Sequence, residues 1–277
     1  MKKFGSIVLT AAMVLSLTAC GKAAEAPAAE APVEEEAVEE TVEEVEEVVE
    51  EAEEAVEETA EEASDVAITS YADYAAADVD TEVTVETYVQ AHQSWWEDKV
   101  TVYSQNEDGA FFLYNMACSE EDAAKLVPGT KIIVTGYKSE WSGEVEIADA
   151  TFTFAEDGET FIAEAEDVTD KVGTDALADD MNKFIAMKGL TVEAANEDGA
   201  AYLYNWDGSG SQGDDLYFNV SLNGETYTFT VESYLCDSST DVYKAVETLQ
   251  VGDVIDLEGF LYWYEGPQPH VTNITVQ

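Results

Sequence analysis

The sequence predicts a mainly β protein: two five-stranded Greek-key barrels in tandem, each with one short helix, preceded by an acidic segment. From about residue 66, Val, Thr, Tyr and Phe alternate with polar residues, and Gly, Asn and Asp separate these runs, which is typical of strands and turns. The segment 126–136 recurs at 249–259, where Leu, Gly, Ile and Gly occupy matching positions without a gap. Residues 21–65 contain 20 acidic side chains and no aromatic one, so they cannot form a packed core.

The charge of the chain is strongly one-sided. Its 277 residues include 61 Asp and Glu, 11 Lys, two His and no Arg, which gives a formal net charge of −50. Without Arg, planar bidentate contacts from guanidinium to phosphate or carboxylate cannot form. Proteins that bind nucleic acid neutralise phosphates with basic side chains, and residues 66–277 carry 41 acidic side chains against eight Lys. The charge therefore predicts that neither barrel binds nucleic acid.

The first 20 residues have the pattern of an export signal. Lys2 and Lys3 precede an apolar run over residues 7–17, which is shorter than the ~20 residues that a membrane-spanning helix needs. The tetrad Leu-Thr-Ala-Cys that ends at Cys20 resembles the lipobox of bacterial lipoprotein signal peptides. A secretory signal with a chance Cys is the alternative.

The lipobox resemblance implies a surface lipoprotein similar to those of Gram-positive bacteria. Residues 1–20 would then be a signal peptide that is cleaved before Cys20, and the Cys20 sulfur would carry lipid whose acyl chains, such as palmitate, anchor the chain. The implied location is extracytoplasmic, on the outer face of the cytoplasmic membrane.

Residues 21–65 are of low complexity and consist mostly of Glu, Ala and Val. Small apolar residues at 38, 42, 45, 49, 52 and 56 follow the spacing of a heptad repeat, which favours a helix. Like charges four residues apart oppose a helix, and no Lys in the repeat compensates them. We expect a disordered, extended acidic tether with latent helicity, and a long single helix is the alternative.

The elements of the first predicted barrel follow one another between residues 82 and 154. The alternating run 82–91 is typical of a strand, and the Asp-Gly signal within 106–109 is typical of a hairpin turn. Ser119 and Asp122 have the spacing of a capping box, which predicts that a helix begins there. The remaining strands are predicted at 99–103, 110–114, 130–141 and 144–154.

The C-terminal half repeats this order. The runs 215–222 and 225–236 flank an Asn-Gly turn and predict a hairpin. A helix is predicted at 239–249, where it leads into the repeated Gly-bearing segment. Cys118 and Cys236 both end the third strand of their copy.

One further piece of the second copy has no counterpart in this order. Residues 196–205 closely match 106–115 but come before the hairpin of their own copy. Either the first strand of this copy carries an extra hairpin, which we favour, or a hairpin was inserted later. The connection 155–185 between the copies is predicted to contain a short helix at 175–184.

Three strands, a helix and two further strands form the element order of the OB-fold, a small Greek-key barrel. The segment 126–136 resembles the entry to the fourth strand of that fold, where a Gly lets the strand bend sharply. The resemblance covers about residues 70–277. It implies an OB-fold-like domain at 66–158, a connector with a short helix at 159–185 and a second OB-fold-like domain at 186–277.

The residues expected of an active site or a metal centre are scarce. The two His, His92 and His270, fall in different copies, and no nucleophile or phosphate-binding motif accompanies them. The loop 207–215 has oxygen-bearing residues at alternate positions, as a Ca²⁺ loop does, but it lacks the terminal Glu. We therefore predict no enzyme activity, no catalytic residue, no metal site and no cofactor. Cys118 and Cys236 lie in separate barrels, so we expect buried free thiols.

Aromatic residues give the clearest indication of a binding surface. Tyr88 and His92 share the parity opposite to the Val residues of their strand, so they do not point into their own barrel. OB-folds bind ligands on the face of the second and third strands and in adjoining loops. The predicted ligand-binding residues are Tyr88, His92, Trp96, Tyr103, Trp141, Tyr262 and Tyr264. Packing of these rings at the barrel ends or between the barrels is the alternative.

Together these patterns predict a non-catalytic binding lipoprotein that is anchored to the membrane through Cys20. Its barrels would hold a neutral or cationic ligand such as a cell-wall glycan or a peptide. The alternative is an envelope assembly or stress protein that acts only through contacts with another protein.

Overall fold

The computed structural model of the chain describes residues 67–277. The predicted signal peptide, Cys20 and the acidic segment 21–65 lie outside the described residues. Among residues 67–277, no helix has both the length and the apolar character needed to cross a membrane. The elements of the first half are α1 Tyr71–Ala76, β1 Glu82–His92, β2 Lys99–Gln105, β3 Ala110–Ala117, α2 Glu120–Ala123, β4 Lys131–Trp141 and β5 Glu144–Phe154.

These five strands close into a barrel in the order β1-β2-β3-β5-β4. β1 runs antiparallel to β4 with Val85 opposite Val134, and a parallel pairing of β3 with β5 closes the ring. The alternation seen in the sequence places Val83, Val85 and Val89 in a buried core. The predicted five-stranded Greek-key barrel is therefore confirmed.

The second half forms a barrel of the same strand order. Its elements are β6 Glu166–Asp167, β7 Phe184–Glu193, β8 Tyr202–Tyr204, β9 Leu216–Leu222, β10 Glu225–Val231, α3 Asp241–Val246, β11 Val254–Phe260 and β12 His270–Val276. The strands follow one another as β7-β11-β12-β10-β9, and a pairing of β9 with β7 closes the ring. β6 and β8 are short additions to β7 and β9. Two closed, OB-like barrels in tandem are thus present.

The first strand of the second barrel is interrupted by a short hairpin, as the favoured interpretation expected. β7 pairs with β9 up to Glu193 opposite Asn219, and β8 continues along the same edge in the same direction with Tyr202 opposite Phe218. Between them the chain makes a tight turn, in which the Ala195 amide donates to the Ala200 carbonyl at 2.7 Å.

The helices are short, and side chains fix where they begin. The Ser119 hydroxyl accepts a hydrogen bond from the Asp122 amide at 3.1 Å, so the predicted helix start is confirmed. The Asp122 carboxylate accepts the Ser119 hydroxyl at 2.8 Å rather than the Ser119 amide of a complete capping box. In the second barrel the cap is Thr240, so α3 is shorter than the predicted 239–249. In place of the helix predicted at 175–184, the structure has a 3₁₀ helix, Asp175–Asp180. It ends before residue 184 because Phe184 already belongs to β7.

Glycine is required where the fourth strand of each barrel crosses the fifth. A Cβ on Gly136 would lie 2.9 Å from the Ala148 carbonyl oxygen. At the matching position, a Cβ on Gly259 would lie 2.9 Å from the Cα of Val271 and would also meet the His270 carbonyl. The repeated glycine thus permits a close approach of two backbones.

The two barrels are joined by a buried aromatic seam formed by Tyr103, Phe112 and Phe260. The ring of Tyr103 stacks on Phe260 with centroids 4.5 Å apart, and its hydroxyl lies 2.5 Å from Nδ1 of His270. Gln105 extends the seam, since its side-chain oxygen accepts the Phe184 amide at 2.9 Å. This docking places the outer face of β3 opposite the loop between β11 and β12.

Candidate functional site

An open cleft of about 480 Å³ lies where the two barrels meet above the seam. Its walls are mostly aromatic and come from both barrels. We call it the aromatic cleft; its lining residues are Gln93, Phe112, Tyr114, Trp141, Trp206, Tyr217, Tyr262, Tyr264, Gln268 and His270.

The first barrel supplies one wall from β3 and from the end of β4. Phe112 and Tyr114 are two residues apart on β3, so they face the same side. Phe112 is buried against Tyr262, with ring centroids 5.3 Å apart, whereas Tyr114 is exposed. Trp141 ends β4 at a tight turn in which Ser142 and the following Gly have positive φ. The turn directs the indole towards Tyr264, with centroids 5.2 Å apart.

The second barrel supplies the opposite wall from its loop 261–269. Backbone hydrogen bonds inside the loop join Gln268 to Tyr262 and Tyr264 to Gly266, each at 2.9 Å. Two more bonds hold the loop on the first barrel. The Glu265 amide donates to the Ser142 carbonyl, and the Trp263 amide donates to the Glu144 carboxylate, both at 2.8 Å.

The floor of the cleft contains a neutral histidine. Burial lowers the pKa of His270 to about 3, so its ring is uncharged at neutral pH. Gln93 Nε2 donates to the Tyr103 hydroxyl at 3.4 Å, which leaves that hydroxyl to donate its own proton to Nδ1 of His270. Tyr262 stacks on the His270 ring with centroids 4.3 Å apart. The floor is therefore a hydrogen-bonded, uncharged surface.

Two buried carboxyl groups lie near the cleft. Glu144 is 0 % exposed, and burial raises the pKa of its carboxyl to about 8. Burial followed by the nearby Asp215 raises the pKa of Glu232 to about 7, against the effect of the Tyr234 and Leu235 amides that donate to it. Both groups thus change charge near neutral pH.

The structure brings three of the predicted ligand-binding residues together. Trp141, Tyr262 and Tyr264 all line the aromatic cleft. Tyr103 lies below it in the seam and is 2 % exposed, so its ring is occupied by contacts between the barrels. Packing between barrels, the alternative for these rings, is what the structure shows for Tyr103.

The other predicted residues lie apart from the cleft. Tyr88 packs on Phe161 of the connector, with centroids 5.7 Å apart, so the connector covers the outer face of β1. His92 is half-buried, with Nδ1 2.7 Å from the Gln93 carbonyl oxygen. Trp96 borders a separate small depression beside Tyr234. A bulge between Val89 and Ala91 interrupts the pairing of β1 with β2, so the strand does not present one continuous row.

Several cleft residues were not among the predicted ones. Trp206 follows β8 at the start of a loop of small polar residues, and a large ring in such a loop is the signal that could have indicated it. Phe112 and Tyr114 share a parity in their strand, but nothing in the sequence shows that the second barrel covers that face. Tyr217 and the two Gln residues carry no local signal.

The sequence-based expectations on metals and thiols can be placed on the structure. Among residues 67–277, no group of three or more His, Cys, Asp or Glu side chains could hold a metal ion. In the loop 207–215, Asp207 and Asp214 accept backbone amides of Ser209 and Ser211. Cys118 and Cys236 are free and buried, as expected, and burial raises the pKa of each thiol to about 11.

Comparisons with known proteins found only distant structural similarity. No protein-family model and no curated protein matches the chain. Similar solved structures include the p204 HINb domain, with 13 % identity, a TM-score of 0.33, and 73 % of this chain and 100 % of that chain covered. The Ifi202 HINa domain in complex with 20 bp dsDNA has 13 % identity and a TM-score of 0.32, covering 72 % of this chain and 96 % of that one.

A third similar structure is a replication protein A heterotrimer bound to ssDNA. It has 10 % identity and a TM-score of 0.29, and the match covers 71 % of this chain and 49 % of that chain. Two of these three structures are of DNA complexes. The predicted exclusion of nucleic acid as a partner, made on grounds of charge, is contradicted by these DNA-bound neighbours and is withdrawn.

Proposed function

We propose that the folded part of the chain is a ligand-binding module and that the aromatic cleft is its binding site. The observation that carries the proposal is the set of rings left open to solvent there. Trp206 is 76 % exposed and Trp141 is 54 % exposed, and Tyr114 and Tyr264 are exposed beside them. Clustered exposed apolar surface is uncommon on soluble proteins unless something binds it.

The size and chemistry of the cleft support binding of a ligand with flat or ring-shaped faces. A volume of about 480 Å³ is within the range of sites for small ligands. Aromatic side chains offer large, rigid contact areas, and Gln93 and Gln268 add neutral donors and acceptors at its edge. Sugar rings, organic rings and the bases of single-stranded nucleic acid all present such faces.

Substitution of the exposed tryptophans tests this proposal. We expect Trp206→Ala and Trp141→Ala each to weaken binding by about tenfold, since stacking of a base on an aromatic ring contributes roughly 1–3 kcal/mol. Melting temperatures should change little because both rings are exposed. Trp96→Ala is the matched control: this ring is 67 % exposed but lies outside the cleft.

The measurement is quenching of tryptophan fluorescence during titration of the purified chain. The panel should contain neutral oligosaccharides, single-stranded oligonucleotides and small organic cations. Saturable quenching that survives in Trp96→Ala but weakens in both cleft variants supports the site. If every ligand leaves the fluorescence unchanged, or if all three variants bind equally well, the cleft is not the binding site.

We also propose that the chain is an extracytoplasmic lipoprotein with lipid on Cys20. Support comes from the basic start, the short apolar run and the Leu-Thr-Ala-Cys tetrad that ends at Cys20. Mass spectrometry of the membrane fraction should find an N-terminal Cys20 that carries acyl chains, and Cys20→Ala should release the protein from membranes. An unmodified N-terminus beyond Cys20 in the wild-type protein would contradict the proposal.

A further inference from the structure

A chain of hydrogen bonds runs beneath the aromatic cleft, and its donors all point in one direction. Gln93 Nε2 donates to the Tyr103 hydroxyl at 3.4 Å, and this hydroxyl donates to Nδ1 of His270 at 2.5 Å. Gln93 and His270 line the cleft, whereas Tyr103 is buried in the seam below it. The direction of these bonds determines which nitrogen of the imidazole carries the proton.

The His270 ring carries its single proton on Nε2. Burial lowers the pKa of His270 to about 3, so the ring is neutral at physiological pH. A neutral imidazole has one N–H donor and one acceptor nitrogen. Because Nδ1 accepts the Tyr103 hydroxyl, the donor is Nε2.

This Nε2–H donor is open to the cleft. Within residues 67–277, four side-chain atoms are both fully buried and without a hydrogen-bond partner, and Nε2 of His270 is not one of them. The hydrogen bond of the ring within these residues is the one at Nδ1. Nε2 is therefore accessible, and the space that the ring lines is the cleft. Tyr262 stacks on the face of the ring, at an angle of 23° between the planes, and so does not cover its edge.

We infer that His270 selects the ligand of the aromatic cleft by donating from Nε2 to an acceptor at the edge of a ring-shaped ligand. The ligand class is a ring compound that carries a carbonyl oxygen or an unprotonated ring nitrogen. This inference rests on the proposed function of the cleft and names its ligand class. A ligand that covers the floor removes water from Nε2. If that ligand has no acceptor, the donor is left unpaired, which weakens binding.

The position of His270 distinguishes it from the polar groups at the rim. His270 is 7 % exposed at the floor of the cleft, where a bound ligand displaces the water. The rim rings are exposed, so their hydroxyl and indole N–H groups can keep water when a ligand binds, and stacking on them accepts any flat face. These rings are Tyr114, Trp141, Trp206 and Tyr264. In addition, each hydrogen bond in a chain polarises the next, which strengthens the last donor.

Two probes of nearly the same shape isolate the acceptor. Indole and benzimidazole have the same fused ring skeleton, and benzimidazole replaces one C–H group of indole with an acceptor nitrogen. Both are uncharged at pH 8. We expect benzimidazole to bind the full chain at least about fivefold more tightly than indole, as one buried hydrogen bond would give. Titration followed by NMR of the ligand measures both affinities.

The nitrogen-15 NMR signals of histidine provide a readout that packing alone would not produce. The chain contains two His, so the signals that disappear in His92→Gln belong to His92 and the others to His270. Without ligand, His270 should show the Nε2–H form at pH 6 and at pH 8 alike. Benzimidazole should shift the Nε2 signal much more than indole does, because a hydrogen bond polarises the N–H bond.

Variants show whether His270 is the group responsible. His270→Phe alone would leave the Tyr103 hydroxyl unpaired, so the test uses the double variant Tyr103→Phe/His270→Phe, in which both partners become apolar. This variant should bind the two probes about equally. Trp206→Ala should weaken both probes, and Trp96→Ala, outside the cleft, should weaken neither. Melting temperatures show that the variants fold; if the double variant does not, the His270 signal in the wild type decides.

Uridine and N-acetylglucosamine distinguish two sources of the acceptor. Uridine carries carbonyl oxygens on a base, and N-acetylglucosamine carries one on a sugar. The compound that shifts the His270 Nε2 signal at the lower concentration identifies the source.

The outcomes separate this inference from the proposed function. Suppose that Trp206→Ala weakens both probes, but the wild type binds them equally or the His270 signal stays unmoved. The role of His270 would then be overturned and the cleft kept as a site. A preference for benzimidazole that persists in the folded double variant would also overturn it. Absence of binding by every probe would overturn both. A preference lost in the double variant, with a shifted Nε2 signal in the wild type, supports both.

Discussion

Truncation of Tyr103 is expected to lower the free energy of unfolding by about 3–5 kcal/mol, as other large buried aromatic truncations do. The ring is buried between Phe112 and Phe260, and these contacts join the two barrels. Tyr103→Ala would leave a cavity that spans the seam. Urea unfolding followed by circular dichroism at constant pH measures the loss, and a decrease below about 1 kcal/mol would contradict the seam as described.

A smaller change at the same position separates packing from hydrogen bonding. Tyr103→Phe keeps the ring but leaves Nδ1 of the buried His270 without a partner, which should cost about 1–3 kcal/mol. Tyr234→Phe is the matched control, because Tyr234 is 60 % exposed and its change should stay within about 0.5 kcal/mol. Equal losses of stability in Tyr103→Phe and Tyr234→Phe would mean that the hydrogen bond from Tyr103 to His270 does not stabilise the folded protein.

The second large effect is a pH dependence of stability that Glu144→Gln removes. The pKa of Glu144 is raised from 4.5 to about 8 by burial, so between these values the folded state binds a proton that the unfolded state has lost. The contribution of Glu144 to the free energy of unfolding is therefore fully present below about pH 4.5. It falls as pH rises, by up to about 1.4 kcal/mol for each pH unit, until about pH 8.

Gln has the shape of the protonated acid and does not ionise, so Glu144→Gln should gain stability over the wild type as pH rises from 5 to 8. His270 works in the opposite direction: its pKa is lowered from 6.5 to about 3, so its contribution to stability grows with pH over that window. Because His270 is present in both proteins, its contribution drops out when the wild-type free energy of unfolding is subtracted from that of Glu144→Gln.

Urea unfolding of both proteins at pH 5, 6.5 and 8 gives the measurement. Glu140→Gln is the matched control, since it makes the same substitution at an exposed position of the same hairpin and leaves Glu144 in place. A difference between Glu144→Gln and wild type that stays flat from pH 5 to 8 would show that Glu144 is already ionised in the folded protein.

The parts of the fold that local sequence determines were predictable. The capping pair Ser119 and Asp122 acts over four residues, and the alternation of Val83, Val85 and Val89 requires only the geometry of one strand. Gly136 and Gly259 could be recognised because each copy of the barrel needs the same bend. These signals are sufficient for two barrels in tandem.

The site depends on contacts between distant segments, and the sequence does not record them locally. The alternation of side chains along β1 places Tyr88 on the outside of its barrel, but it does not show that Phe161 of the connector packs on this ring. In the same way, Tyr103 faces outward from its own strand and is buried only because Phe260 of the other barrel docks on it. The orientation of the two barrels therefore determines which aromatic residues remain exposed to solvent.

Anchoring of the loop 261–269 on the first barrel has a consequence for stoichiometry. The sequence contains the barrel twice, which suggests two equivalent sites, yet each copy contributes only half of one. The first copy gives the turn at Ser142 and the carboxyl group of Glu144, and the second copy gives the loop that these groups hold. The binding site that we propose therefore needs both barrels at once, and we expect it to take one ligand per chain rather than one per barrel.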